Sequence, residues 1–109
     1  MQELLIADAA DQEFTTILSD QRCTFRLRYN PTADRWTFDL AIGDDLKLLG
    51  RRIVTDIDLI APFDLGIGAL VALDVEGRGN LPDRKNLPAR KVRLYSLDAD
   101  EIAQVRALP

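Results

Sequence analysis

The sequence contains no histidine. That absence removes the commonest general base, the commonest metal ligand and every Ser-His or Cys-His nucleophile arrangement. A single cysteine, Cys23, excludes an internal disulfide and a cysteine-based metal site. It opens an alternating apolar segment and reads as a small buried hydrophobe, since a reactive thiol would need a neighbouring base. No apolar run approaches the roughly 20 residues a membrane-spanning helix requires. The first residues, MQELLIADAADQE, lack a basic region, so they do not read as a secretory signal, and synthesis and use in a cytoplasm are expected. Internal repeats and low-complexity tracts are missing too. Residues 1–20 carry five acids and no base.

What remains is an ordinary globular composition. Of 109 residues, 47% are apolar and 29% charged, which suits one domain over residues 1–109 with a real core. A chain of this size buries about two-thirds of the surface it exposes when unfolded. The net charge of −4 is unevenly spread, because residues 78–93 (RGNLPDRKNLPARKVR) carry six bases and one acid. An acidic start and a basic stretch near the end suit head-to-tail or heterologous contacts between subunits. Arginine supplies eleven of the fourteen bases, which favours fixed, bidentate contacts at interfaces.

Hydrophobic periodicity predicts a mainly β fold. The structured part opens at Glu13, with Phe14, Thr16 and Leu18 on one strand face and a turn at Ser19-Asp20-Gln21. Cys23, Phe25, Leu27 and Tyr29 alternate with Thr24, Arg26 and Arg28. After Asn30-Pro31-Thr32-Ala33-Asp34, which is turn chemistry, Trp36, Phe38, Leu40 and Ile42 alternate with Thr37, Asp39 and Ala41. These two runs predict an antiparallel hairpin with one buried face. Leu46–Val54 reads as a strand interrupted by a bulge or tight hairpin at Gly50. Residues 56–60 read as a short extended segment, 68–75 as a strand, 76–90 as a long surface loop and 91–97 as the last strand. Asp98–Glu101 starts a helix with Ile102, Val105 and Leu108 on one face. The expected fold is a compact antiparallel β-barrel or sandwich of six or seven strands, with a β core over 13–97 and a C-terminal helix over 98–108.

No residue cluster specifies chemistry. Asp44/Asp45, Asp56/Asp58 and Asp98/Asp100/Glu101 sit where turns and a helix start favour acids for backbone reasons. Asp74-x-Glu76-Gly77 lacks the remaining oxygen ligands of a calcium loop. Gly66-x-Gly68 and Gly77-x-Gly79 lack the spacing of phosphate loops. The basic stretch 78–93 has only Tyr95 nearby for base stacking, so single-stranded nucleic-acid binding by a small barrel is the second reading rather than the first. An enzyme built on a carboxylate pair ranks third. Arg26 and Arg28 lie opposite Thr37 and Asp39, either as a cross-strand ion pair or as a face that meets another subunit. Trp36 reads as a core anchor whose indole N–H reaches a partner at the sheet rim. The loop Ala61–Ile67 (APFDLGI) is unusually apolar, so Phe63, Leu65 and Ile67 must fold back onto the core or be covered by a neighbour.

The order of segments carries a resemblance. Leu27-Arg28-Tyr29-Asn30, Trp36-x-Phe38-Asp39-Leu40, Gly50 with Ile53-Val54, Asp58-Leu59-Ile60 before Pro62-Phe63, Gly68-Ala69-Leu70 running to Asp74, and Val92-Arg93-Leu94-Tyr95 follow one another over residues 13–97. In that order the chain resembles the small baseplate plug proteins of contractile-tailed phages. The resemblance implies a structural protein of a phage or prophage tail baseplate, assembled in the bacterial host cytoplasm and carried in the virion. Its implied partners are hub, tail-tube and wedge proteins and copies of itself. It implies no catalysis, cofactor, metal, small-molecule substrate or membrane. Arg26, Arg28, Arg51, Arg52, Phe63 and Leu65 are the expected contact residues, and substituting Arg51→Glu with Arg52→Glu is expected to leave the monomer folded but block its incorporation into baseplates.

Overall fold

Period-2 alternation becomes two antiparallel sheets in the computed structural model, which describes residues 1–106. The elements are β1 (Gln2–Leu4), β2 (Asp11–Leu18), β3 (Gln21–Asn30), β4 (Arg35–Ile42), β5 (Asp45–Arg52), β6 (Ala69–Asp74), β7 (Val92–Leu97) and the helix α1 (Ala99–Arg106). One sheet has the order β2-β3-β4-β5 and the other β1-β7-β6. Successive strands of the larger sheet are joined by short turns. Ser19 and Asp20 both take positive φ, the geometry of a two-residue hairpin turn whose twist matches its strands. In the longer β3–β4 turn the Asn30 side chain accepts the Thr32 and Ala33 N–H groups, at 3.0 and 3.3 Å.

The predicted β3–β4 hairpin is present in register. Phe25 pairs with Leu40, Leu27 with Phe38 and Tyr29 with Trp36. Cys23, Phe25, Leu27, Trp36, Phe38 and Leu40 are all fully buried. They share one core with Leu4, Leu70, Ala72, Val92 and Leu94 of the smaller sheet, so the two sheets face each other as a sandwich. Each such apolar side chain taken from water contributes roughly 1.5–3 kcal/mol before the cost of ordering it.

A closed barrel is not formed. Between β5 and β6 the chain makes only isolated bridges, Thr55 with Ala72 and Asp58 with Val71, and β1 and β2 belong to different sheets. The segment 56–60 is therefore irregular rather than extended: Asp56 takes a positive φ, and a 3-10 turn follows at Ala61–Phe63. The ordered region also begins before Glu13. β1 pairs with β7 (Glu3 opposite Tyr95), and its three residues are too few to display alternation. The loop after β6 is less superficial than its polarity suggests, because Leu87 inserts into the core. The helix begins as expected, with a reciprocal cap: Asp98 accepts the Glu101 N–H at 2.8 Å and Glu101 accepts the Asp98 N–H at 3.1 Å. Leu108, the last residue of its predicted apolar face, lies outside the described residues.

Gly68 shows how tightly β6 meets β7. Its φ is +86°, and a Cβ at that position would overlap the Leu97 carbonyl. Gly50 has a similar φ of +65° but open space around its missing Cβ. Gly68→Ala should therefore lower stability by about 3 kcal/mol, against about 1 kcal/mol for Gly50→Ala. Urea denaturation of the two variants checks this; equal losses would contradict the close contact.

Candidate protein-interaction surface

The solvent face of the larger sheet holds three of the expected contact residues in two rows. Cross-strand pairing aligns Asp11, Arg28, Thr37 and Arg52 in one row, and Glu13, Arg26 and Asp39 in the next. The ion pairs run differently from the direct cross-strand expectation. Arg26 turns towards β2 and holds Asp11 with two bonds, Nε to Oδ1 at 3.1 Å and Nη2 to Oδ2 at 2.9 Å. Arg28 reaches diagonally to Asp39 at 3.0 Å. Asp39 is only 9% exposed despite facing outward, and its other oxygen accepts the Gly50 N–H at 2.8 Å. That bond clasps the bulge at which Asp39 faces two residues of β5. Arg52 and Arg35 extend from the same region into solvent. Near the opposite end of this sheet Ile17 and Leu46 are exposed, as is Leu49 beside the bulge on edge strand β5. None of these three stands out in the sequence, although alternation across β2 places Ile17 on the outer face.

Arg51 and Arg52 do not form a pair. Successive strand residues point to opposite faces, and Arg51 lies opposite the core residue Phe38 while Arg52 lies opposite the outward Thr37. Arg51 Nε donates to the Leu59 carbonyl at 3.0 Å, and its guanidinium sits 5.9 Å from the centre of the Phe63 ring. It thus fastens the apolar loop to β5. Within that loop Ile67 is buried and Leu65 packs on the core, while Phe63 stays 43% exposed beneath Arg51. The loop folds back, and the structure brings Arg51 and Phe63 together but leaves Arg26, Arg28 and Arg52 on another face.

The charge asymmetry of the sequence is partly neutralised inside the chain. Arg90 forms a two-bond pair with Glu3 at 2.8 and 2.7 Å, and Arg84 meets Asp8 at 2.6 Å. The same Arg84 lies over the Trp36 ring at 5.7 Å. Trp36 is a core anchor, and its indole N–H donates to the Asp83 carbonyl at 2.9 Å, tying the basic loop to the sheet end. Two of the six bases of residues 78–93 are thereby occupied, and Tyr95 is half-buried. The stretch is not a free basic stripe with stacking aromatics.

The acidic groups hold backbone. Asp58 accepts the N–H groups of Ile60 and Leu70, each at 3.1 Å. Burial pushes the Asp74 carboxyl up, but bonds from Asn80, Glu76 and Gly79 outweigh it and keep the group below its ordinary range. The loop from Asp74 is closed by its own N–H donors. Among the described residues no cluster of three metal-ligating side chains occurs. Burial pushes the Cys23 thiol up, away from reactivity.

A family model described as Cyanophage baseplate Pam3 plug gp18 matches residues 1–99. The chain belongs to this family. The match runs beyond the 13–97 of the resemblance to take in β1 and the acid-bearing segment that pairs with Arg84 and Arg90, and it ends as α1 begins. No curated protein matches the chain.

The loop anchor and the ion pairs each have a measurable consequence. Arg51→Ala leaves the Leu59 carbonyl without its donor and should cost about 1–2 kcal/mol, whereas Arg52→Ala should stay within about 0.5 kcal/mol of the parent. Thermal melts that rank the two in the opposite order would contradict the assignment. Hydrogen bonds from Arg90 and Arg26 hold the carboxyls of Glu3 and Asp11 below their ordinary range. Groups depressed on folding stabilise fully above their unfolded value, near 4, and lose that stabilisation as pH falls through the folded value. Stability should thus fall on acidification from about pH 5 towards pH 2, and less steeply in a Glu3→Gln/Asp11→Asn variant. Identical pH slopes in urea titrations would remove these pairs from the account.

Proposed function

We propose that this protein is a structural component of a phage contractile-tail baseplate, carried in the virion, which plugs or connects the hub and tail-tube region through protein contacts. Membership of the baseplate plug family over residues 1–99 carries the reading. The chemistry of the surface supports it. The larger sheet turns a solvent-open face outward, with Arg26 and Arg28 already held in place by acids, so their guanidinium planes need little further ordering to meet a partner. Arg52 on that face, with no ion-pair partner among the described residues, and Leu49 on edge strand β5 add an exposed cation and an exposed apolar side chain. Phe63 and Leu65 offer a second, smaller contact on the apolar loop. Arg51 acts behind them as the group that positions the loop. Such a role draws on shape and surface complementarity and requires no reactive centre, cofactor or small-molecule substrate.

Exposure makes the outer face testable without unfolding the protein. An Arg52→Glu/Leu49→Asp variant should melt like the parent, yet enter baseplates about tenfold less efficiently, the effect of losing about 1.4 kcal/mol of contact energy. Complementation of tails assembled without the wild-type protein, followed by quantification of the plug in purified baseplates, measures this. Incorporation at the parental level would remove the outer face as the contact.

A further inference from the structure

Two surfaces at opposite ends of the sandwich complement each other, and we propose that copies of this chain associate head to tail through them. One end gathers the β2–β3 and β4–β5 turns, the loop 61–68 and the start of α1. Gln21 Nε2 reaches the Gly66 carbonyl there at 3.4 Å, and the Met1 amine pairs with the Glu101 carboxylate. The other end gathers the β3–β4 turn and the loop 75–91, joined by the bond from Trp36 to Asp83.

At the first end an open groove of about 730 Å³ runs between the loop and α1. Ile60, Ala61, Leu65, Ala99, Ile102 and Ala103 line it, together with Asp58 and Asp64. Asp58 is committed to two backbone N–H groups. Asp64 is exposed and makes no hydrogen bond or ion pair among the described residues, and Asp100 is exposed on the first turn of α1. The groove therefore presents apolar walls and a carboxylate rim.

At the second end Leu81 is 66% exposed. Leu87 of the same loop is buried in the core, whereas Leu81 is not. Arg78 and Lys85 are exposed on the same loop and lack ion-pair partners among the described residues, where Asp8 and Glu3 pair with Arg84 and Arg90. The loop is also held in shape. Asp74 accepts the Asn80 N–H at 2.9 Å and Asn86 Nδ2 donates to the Leu81 carbonyl at 3.0 Å. A preordered loop that carries an exposed apolar side chain and two exposed cations is complementary to the groove, with its apolar walls and the carboxylates of Asp64 and Asp100. Because the two patches differ and lie at opposite ends, the contact is heterologous and builds a ring if the rotation closes and an open helical stack if it does not. Ile102 and Ala103 lie beyond the family match, so part of the groove wall belongs to this chain's own C-terminal helix. This extends the baseplate reading to contacts between copies and stands on the two surfaces alone.

Sedimentation velocity of the purified full chain over a concentration series tests it. At about 50 mM salt the sedimentation coefficient should rise with concentration, and at about 500 mM salt, where charges are screened within a few ångströms, it should approach the monomer value. Asp64→Lys and Arg78→Glu should each weaken association about tenfold or more. The two variants mixed should associate again, because the introduced lysine of one copy then faces the introduced glutamate of the other. Leu81→Ser should be monomeric with an unchanged circular dichroism spectrum. A parent that stays monomeric at low salt, or mixed variants no better than either alone, would overturn the proposal. A parent that is monomeric yet enters baseplates would discard this contact and keep the plug reading; one that self-associates yet is absent from tails would do the reverse.

Discussion

The inward face of the β3–β4 hairpin is the constraint on which the rest of the molecule depends. Phe25, Leu27, Phe38 and Leu40 cannot be left in water, and Leu4, Leu70, Ala72, Val92 and Leu94 of the smaller sheet share one core with them. Trp36 extends that face to the end of the sheet and adds a polar demand, since a buried indole N–H must find an acceptor. The Asp83 carbonyl meets the demand. That hydrogen bond, together with Leu87 in the core, ties the long loop after β6 to the sheet end, and the loop in turn brings Arg84 over the indole and against Asp8. From the core outward, apolar burial determines the sheet, the sheet end determines the loop, and the loop determines where charge is left over.

That order changes the meaning of the charge pattern. In the sequence, an acidic beginning and a basic stretch suggest two complementary ends offered to other subunits. In the folded chain, Glu3 and Asp8 answer Arg90 and Arg84 internally, and Asp11 answers Arg26. Pairs this exposed are screened by solvent, so their main consequence is placement rather than strength. Among the groups left outward are Arg52 and Leu49 at one edge, Arg78 and Leu81 on the loop, and Asp64 beside the groove. A protein that acts by surface complementarity is read most reliably from these residual groups, not from total charge.

Much of the fold is legible in the sequence because alternation survives wherever one sheet face is buried. The register of β3 and β4, the bulge at Gly50 and the inward set Val92, Leu94 and Ser96 of β7 all follow from period 2 and turn chemistry. β1 is not legible, because three residues carry no period, and its signal lies instead in Glu3, whose partner is 87 residues away. The open sandwich is indistinguishable from a barrel in sequence, since closure depends on whether residues 53–60 pair along their length or only at two bridges. Arg51 and Arg52 read as a unit by adjacency, although alternation alone sends them to opposite faces; the apolar loop that claims Arg51 is visible only in three dimensions. The family resemblance supplies the machine to which such a surface belongs, which residue patterns cannot name.

The central claim is that this chain works as a fitted part of a phage tail. Quantitative mass spectrometry of purified tails, with chemical cross-linking, tests it most directly. The account predicts the protein in a fixed ratio to hub and tail-tube proteins, with cross-links from the solvent face of the β2-β3-β4-β5 sheet to those partners. Tails of normal composition and function that lack the protein, while it accumulates free in the lysate, would contradict it.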